Sequence, residues 1–178
     1  PQEALNAYVK SIELNPNIAE VRYNLGNILR DLGKLEEAEV STRKAIELKP
    51  GYAEALCNLG MILNGLKKYS EAEIFTRKAI EYQPNFAIAH KNLGTILHNL
   101  GNTFEAEISL RKAIEFKHDY AEAYSNLGRI LIDLGNLKDA EITLRQAIKI
   151  NSNLIQANID LAITLIELGK LEEAQIYE

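Results

Sequence analysis

The fold is decided by residues 19–52, AEVRYNLGNILRDLGKLEEAEVSTRKAIELKPGY, because this stretch returns along the chain. It begins again at Ala53, Ala87 and Ala121, each time after a further 34 residues. A fixed period of this size is typical of stacked supersecondary units, each of which contacts only its neighbours. The sequence therefore predicts an array of repeats and not one globular core.

Small and apolar residues occupy the same places in every repeat, with no gap needed to align them. The columns are Leu25, Leu59, Leu93, Leu127 and Leu161; Gly26, Gly60, Gly94 and Gly128, with Ala162 last; Ala38, Ala72, Ala106, Ala140 and Ala174; and Ala45, Ala79, Ala113 and Ala147. The apolar spacing predicts two helices per repeat, about 19–32 and 35–48 in the first. The small columns would let the axes of those helices approach closely.

Glycine ends the first helix of most repeats. It recurs at Gly33, Gly101, Gly135 and Gly169, as expected for a left-handed residue that closes a helix. Lys67 stands there in the second repeat, and lysine is less favourable in a left-handed turn. We therefore expect the same corner there, with some strain.

The whole chain, residues 1–178, is interpreted as a single array. Residues 1–18 form the second helix of a truncated repeat, in which Ala4 matches the Ala38 column. Residues 155–178 form a partial repeat. The complete repeats between them are predicted at 19–52, 53–86, 87–120 and 121–154. Because the chain opens in mid-repeat, we expect it to be a piece of a longer protein.

The charge balance disfavours two classes of partner. The chain has 20 Lys and Arg against 25 Asp and Glu, a formal net charge of −5. Nucleic acid and anionic membranes would require a basic surface, so neither is expected. The single cysteine, Cys57, allows no disulfide within the chain, and no apolar run approaches the roughly 20 residues of a membrane span. A cytoplasmic location is the expectation.

The repeat pattern does not place residue types used in catalysis or metal binding next to one another. The histidines, His90, His98 and His118, lie in different columns. His90 and His98 would be about 12 Å apart along one helix, too far to share a zinc ion. No glycine-rich phosphate loop occurs. The sequence predicts a protein that is not an enzyme and has neither a metal nor a cofactor.

The columns Leu25, Gly26, Ala38, Ala45 and Pro50, at this period, resemble the tetratricopeptide repeat over essentially the whole chain. The usual tryptophan of the first helix is absent, and leucine replaces a usual tyrosine at Leu29 and its equivalents. The recurring NLG and EAExxxRKAIE segments are similar to bacterial arrays, some of which precede transferase domains, and to the repeats of the O-linked N-acetylglucosamine transferase.

This resemblance implies an all-α fold, a right-handed superhelical solenoid of antiparallel helix hairpins. First helices would line its concave face, and the partners would be proteins or peptides held in that groove. In the resembling transferase an asparagine ladder holds extended peptides. The matching positions here are Asn24, Asn58, Asn92 and Asn126, with Asp160 last.

Asparagine is a poor helix former, so its recurrence within the first helix has a cause. Its amide both donates and accepts hydrogen bonds, and helices about 8–10 Å apart would present one amide to roughly every third residue of an extended peptide. The alternative is that each amide bonds to a neighbouring helix. Both interpretations stay open on the sequence alone.

Other columns predicted to face the groove vary between repeats, as a specificity surface should. They contribute the further candidate peptide-contacting residues Tyr23, Asn27, Lys91, His98 and Arg129. The groove becomes apolar towards the C-terminus, where Ile159, Ile163 and Ile166 would form an exposed stripe. Such a patch marks a contact site, or is covered by a further repeat.

Three functions remain after this reasoning. The first is an interaction scaffold that binds an extended peptide or protein segment in the concave groove. The second is a substrate-presenting arm of a larger glycosyl-, sulfo- or methyltransferase. The third is a structural array that associates with itself through its uncovered ends, giving a homo-oligomer.

Overall fold

A computed structural model describes the backbone of residues 2–177 and the side chains of residues 7, 8 and 10–176. Every regular element in this part of the chain is a helix. The α-helices are α1 Gln2–Leu14, α2 Ala19–Asp31, α3 Leu35–Leu48, α4 Ala53–Gly65, α5 Tyr69–Tyr82, α6 Ala87–Asn99, α7 Thr103–Phe116, α8 Ala121–Asp133, α9 Leu137–Ile150, α10 Ile155–Glu167 and α11 Leu171–Ala174. A 3-10 turn, Gln175–Tyr177, follows α11.

Three of the predicted hairpins are seen as packed pairs: α2 with α3, α4 with α5, and α8 with α9. These observations confirm the all-α fold. The chain divides into two compact units, residues 1–92 and residues 93–178. The predicted inward position of Ala4 lies outside the described side chains.

The glycine column allows the two helices of a hairpin to pack tightly. A Cβ atom added to Gly60 would lie 2.1 Å from Thr76 Oγ1, and one added to Gly128 would lie 2.5 Å from Leu144 Cγ. The facing alanines, Ala72 and Ala140, are fully buried. Larger side chains such as Leu59, Leu63 and Leu131 fill the space beside this contact.

The turns between repeats keep one conformation whether or not proline is present. The residue that ends the second helix has φ −143° at Lys49 and −136° at Gln83, both of which precede proline. It has φ −142° at Lys117 and −144° at Asn151, which precede His118 and Ser152. The apolar residue after each turn packs inward and holds it: Tyr23 and Tyr52, for example, have ring centroids 5.0 Å apart.

Candidate functional site

The asparagine column lies on the first helices of the hairpins. Asn24 is on α2, Asn58 on α4, Asn92 on α6, Asn126 on α8, and Asp160 takes the place on α10. Each precedes a buried leucine of the core, so helical geometry holds the amide at the edge of the core. Asn58 and Asn92 are 5% and 3% exposed, whereas Asn24 and Asn126 are half-buried.

Most of these polar groups bond to the preceding first helix. Asn58 Oδ1 accepts a hydrogen bond from Arg30 Nη1. Asn92 Nδ2 donates to Cys57 Sγ over 3.2 Å, and Asn126 Nδ2 donates to Thr95 Oγ1 over 3.2 Å. Amides of this column therefore bond to a neighbouring helix in both units, as one of the two interpretations of the sequence expected.

Asp160 replaces the amide with a charge, and its partner changes accordingly. Arg129 donates to it from Nε at 3.2 Å and from Nη2 at 2.9 Å, and Gln156 Nε2 donates at 2.8 Å. A fork of guanidinium donors matches the two oxygens of a carboxylate. The predicted site residues Arg129 and Asp160 therefore form one ion pair.

Two amide atoms in the first unit have no hydrogen-bond partner among the described residues. They are Asn58 Nδ2 and Asn92 Oδ1, both buried. A buried polar atom without a partner costs about 1–3 kcal/mol. Each of these atoms exposes less than 1 Å², so a ligand supplies the missing partner once the side chain turns towards it. One is a donor and the other an acceptor, and they stand one repeat apart.

Both asparagines line an open groove of about 580 Å³ in the first unit. Two further predicted residues, Tyr23 and Asn27, line the same groove, while Asn24 and Lys91 are not among its lining residues. The remaining lining residues are Arg30, Asp31, Glu54, Cys57, Met61, Phe86 and Ile88. The geometry thus brings together four of the predicted residues with apolar and acidic neighbours.

The second unit has its own groove, of about 380 Å³, which contains the predicted residues His98, Asn126 and Arg129. His98 Nε2 is 2.7 Å from Asp133 Oδ2, and Arg129 is held by Asp160. The predicted polar residues of this groove thus have more bonds to partners within their own unit than the amides of the first groove have. The Ile159, Ile163 and Ile166 side chains are exposed, as the sequence predicts.

Cys57 lies at the floor of the first groove. Burial raises the pKa of its thiol to about 11, against the hydrogen bond from Asn92 that lowers it. The thiol is therefore protonated at neutral pH and a poor nucleophile. These properties are typical of a buried structural cysteine.

Sequence reasoning overlooked several groove residues. Glu54 lies four residues before Asn58, and Glu122 lies four residues before Asn126. Residues at these spacings share one face of a helix, so the asparagine column itself indicated them. Phe86 is different, because it lies in the turn before α6 and reaches the groove only through the packing of the hairpins.

The described residues contain no group of three or more His, Cys, Asp or Glu side chains that could hold a metal ion. Among the same residues, no helix has both the length and the apolar character that a membrane span requires.

Family models of the tetratricopeptide repeat match residues 19–52 and 53–86, and a second such model matches residues 85–153. No curated protein sequence matches the chain. Among solved structures, the chain is similar to YrrB, a TPR protein with an unusual peptide-binding site, with 26% identity and a TM-score of 0.72 over 96% of this chain and 88% of that one.

Two further solved structures share the fold at lower identity. PilW, a widely conserved type IV pilus biogenesis factor, has 23% identity and a TM-score of 0.90 over 99% of this chain and 82% of its own. PilF of Pseudomonas aeruginosa has 22% identity and a TM-score of 0.81 over 99% and 74%.

Proposed function

Because this chain belongs to the tetratricopeptide repeat family, whose members are typically non-enzymatic protein-interaction scaffolds, we propose that it binds an extended peptide segment of a partner protein in the groove of its first unit. The observation that carries the proposal is the pair of unpartnered amide atoms, Asn58 Nδ2 and Asn92 Oδ1, in one groove.

A peptide backbone is the chemistry that these two atoms complement. Its carbonyl oxygen accepts from Asn58 Nδ2, and its N–H donates to Asn92 Oδ1. A contact with the backbone holds the segment without selecting its side chains. The similarity to YrrB, whose peptide-binding site has been described, supports this class of ligand.

The other lining residues set the preferred side chains. Tyr23, Met61, Phe86 and Ile88 offer apolar surface, so the segment carries apolar residues there. Asp31 and Glu54 outnumber Arg30, and Arg30 already bonds to Asp31 Oδ1 at 2.9 Å. The groove therefore favours a segment with a basic residue near Glu54.

The second unit contributes a polar groove of its own. There Asn126 and Arg129, with His98, extend the amide pattern along the first helices, and Asn24 begins it on α2. We include these residues, with Lys91 and Asp160, in the proposal as weaker contacts, because their side chains already have partners or lie outside the lining of the first groove.

The test selects peptides from a random peptide-display library on the full chain and measures their dissociation constants. The variant Asn58→Ala with Asn92→Ala should weaken binding by about tenfold or more, because two hydrogen bonds are lost. The matched control is Asn153→Ala, which removes an exposed asparagine from a turn outside the groove.

The thermal midpoints of all variants show whether each remains folded at the binding temperature. Failure of the library to yield any binder would overturn the proposal. So would peptides that bind the double variant and the wild type with equal affinity.

A further inference from the structure

The outer face of the second helices α3, α5, α7 and α9 carries an aliphatic residue at the same place in each repeat. These residues are Val40 on α3, Ile74 on α5, Ile108 on α7 and Ile142 on α9, and we call them the outer column. Their side chains are between 53% and 72% exposed. Ile176, in the 3-10 turn, occupies the equivalent position and is also exposed.

Nothing in the described part of the chain covers this column. β-Branched residues are weaker helix formers than Ala, Glu or Lys, and at an exposed position no packing compensates for that cost. A neighbouring exposed column, four residues earlier on the same helices, varies widely in chemistry: Glu36, Ser70, Phe104, Lys138 and Glu172. The outer column, by contrast, stays aliphatic from α3 to the turn that contains Ile176.

Charges flank the outer column in a fixed order. Three residues before it stand the acidic residues Glu37, Glu71, Glu105, Asp139 and Glu173. Four residues after it stand Lys44, Lys78 and Lys112, with Gln146 last. Residues at these spacings share one helix face, so each second helix presents an acidic group, an aliphatic group and a basic or neutral group in line along its axis.

We propose that the outer column is the surface on which two copies of this chain pack against each other, with each second helix antiparallel to one of the partner copy. In that arrangement aliphatic residues meet across the interface. The acidic group of one helix, such as Glu37, then lies opposite the basic group of the other, such as Lys44.

Charge complementarity selects this occupant and this orientation. A parallel arrangement would set carboxylate against carboxylate and ammonium against ammonium, which is unfavourable. A two-fold axis perpendicular to the facing helices produces the antiparallel arrangement with the same surface on both copies, the commonest symmetry of homo-oligomers. The existing bond from Lys44 Nζ to Glu47 Oε2, 2.7 Å long, is exposed and weak, so this lysine can re-pair. Glu71 is held more firmly, because its pair with Arg43 is partly buried.

The interface is distinct from the amide groove, because it lies on the second helices and the groove on the first. It also differs from self-association through Ile159, Ile163 and Ile166 of α10. The two interfaces are separated by variants that place a charge in one or the other.

The experiment measures the mass of the full chain by sedimentation equilibrium over a wide concentration range. The wild type should rise from the single-chain mass of 20.0 kDa to twice that value. The variant Ile74→Glu with Ile142→Glu, one substitution per unit, should raise the dissociation constant of the dimer more than about tenfold, since it buries unpaired charges. Its control, Ile159→Glu with Ile163→Glu, should leave the dissociation constant unchanged.

A charge exchange distinguishes pairing from a loss of folding. Lys44→Glu with Lys112→Glu should weaken the dimer, and the addition of Glu37→Lys with Glu105→Lys should restore it. A wild type that stays at the single-chain mass at every concentration overturns the proposal. So does a dimer that the α10 variants dissociate and the outer-column variants leave intact.

Discussion

Asn92 illustrates how a single side chain can serve both the fold and a ligand. Its nitrogen donates to Cys57 Sγ and so ties α6 to α4, while its oxygen has no partner. Asn58 shows the converse, since its oxygen accepts from Arg30 and its nitrogen has no partner. A carboxamide is suited to this double task because it carries donor and acceptor on separate atoms.

Lys67 is the residue at which the sequence departs most from its own repeat. It has φ 59°, while the equivalent glycines have φ 75° to 81°. The turn expected from the repeat is thus present, with a lysine in the left-handed region. A side chain there brings Cβ too close to the following carbonyl oxygen.

Replacing Lys67 with glycine should stabilise the protein by about 0.5–1 kcal/mol. Relief of the left-handed strain exceeds the extra conformational entropy of glycine in the unfolded chain. Urea unfolding followed by circular dichroism measures the change. The matched control is Gly101→Lys, the reverse substitution at φ 81°, where an added Cβ meets nothing within 4 Å. Gly101→Lys should destabilise the protein by a similar amount. If Lys67→Gly leaves the free energy of unfolding unchanged or lowers it, Lys67 is not strained.

At the scale of helices, the second helices are joined by ion pairs as well as by core packing. Within a helix, Arg43 lies 2.8 Å from Glu39 and Arg145 lies 3.1 Å from Glu141. The same carboxylates also bond across to the next repeat. Lys68 Nζ is 2.8 Å from Glu39, and Lys170 Nζ is 2.8 Å from Glu141. The four-residue spacing in the sequence indicates only the pairs within a helix, and the structure adds the link between hairpins.

These links make stability depend on pH. The hydrogen bond from Lys170 is the main reason that the pKa of Glu141 is lowered from 4.5, with burial opposing it and Arg145 assisting. Burial works to raise the pKa of Glu39, but the bonds from Lys68 and Arg43 prevail and lower it. Because the folded pKa values lie below the unfolded value, the stabilisation is complete above pH 4.5 and is lost as the pH falls through the folded values.

The free energy of unfolding, measured in urea from pH 7 down to pH 3, should therefore decrease below about pH 4.5. The variant Glu39→Gln with Glu141→Gln should reduce that decrease. Glu36→Gln, which removes an exposed carboxylate from the same helix α3, serves as the control. A double variant with the same pH profile as the wild type would contradict the role of these links.

At the scale of the whole molecule, the stability of each hairpin depends on the hairpins packed beside it. In an array of this kind, each hairpin gains stability mainly from the interfaces with adjacent hairpins. In the first unit α4 contacts α2, α3 and α5, whereas α1 contacts α2. Most of α4 is buried, whereas Lys10, Glu13 and Leu14 of α1 are exposed.

Native-state hydrogen exchange should reflect this difference. The amides of α4 should exchange more slowly than those of α1 by about tenfold or more, after correction for intrinsic rates, because α1 opens locally without disrupting a second interface. Mass spectrometry of peptides covering residues 2–14 and 53–65 measures both helices in one sample. Equal protection of the two helices would show instead that the first unit opens as one body.

Local patterns predicted much of this molecule. The recurring Leu25, Gly26 and Ala38 columns predicted the helix hairpins and their close packing, because helix period and side-chain size are properties of short stretches of chain. The left-handed corner at Lys67 followed from the repeat in the same way. The groove residue Glu54 was within reach of the same reasoning, since it shares a helix face with Asn58.

Other features depended on distances between helices, which cannot be predicted from the order of residues along the chain. The partner of each amide comes from a different column, Arg30 for Asn58, Cys57 for Asn92 and Thr95 for Asn126, and no local rule selects among them. Which residues recur and which helices they form follow from spacing along one chain, so the amino-acid order was enough to predict them. The packing of the hairpins was needed to show that one atom of each of the Asn58 and Asn92 amides has no partner among the described residues and that the outer aliphatic column is exposed, because burial and bonding depend on what packs alongside.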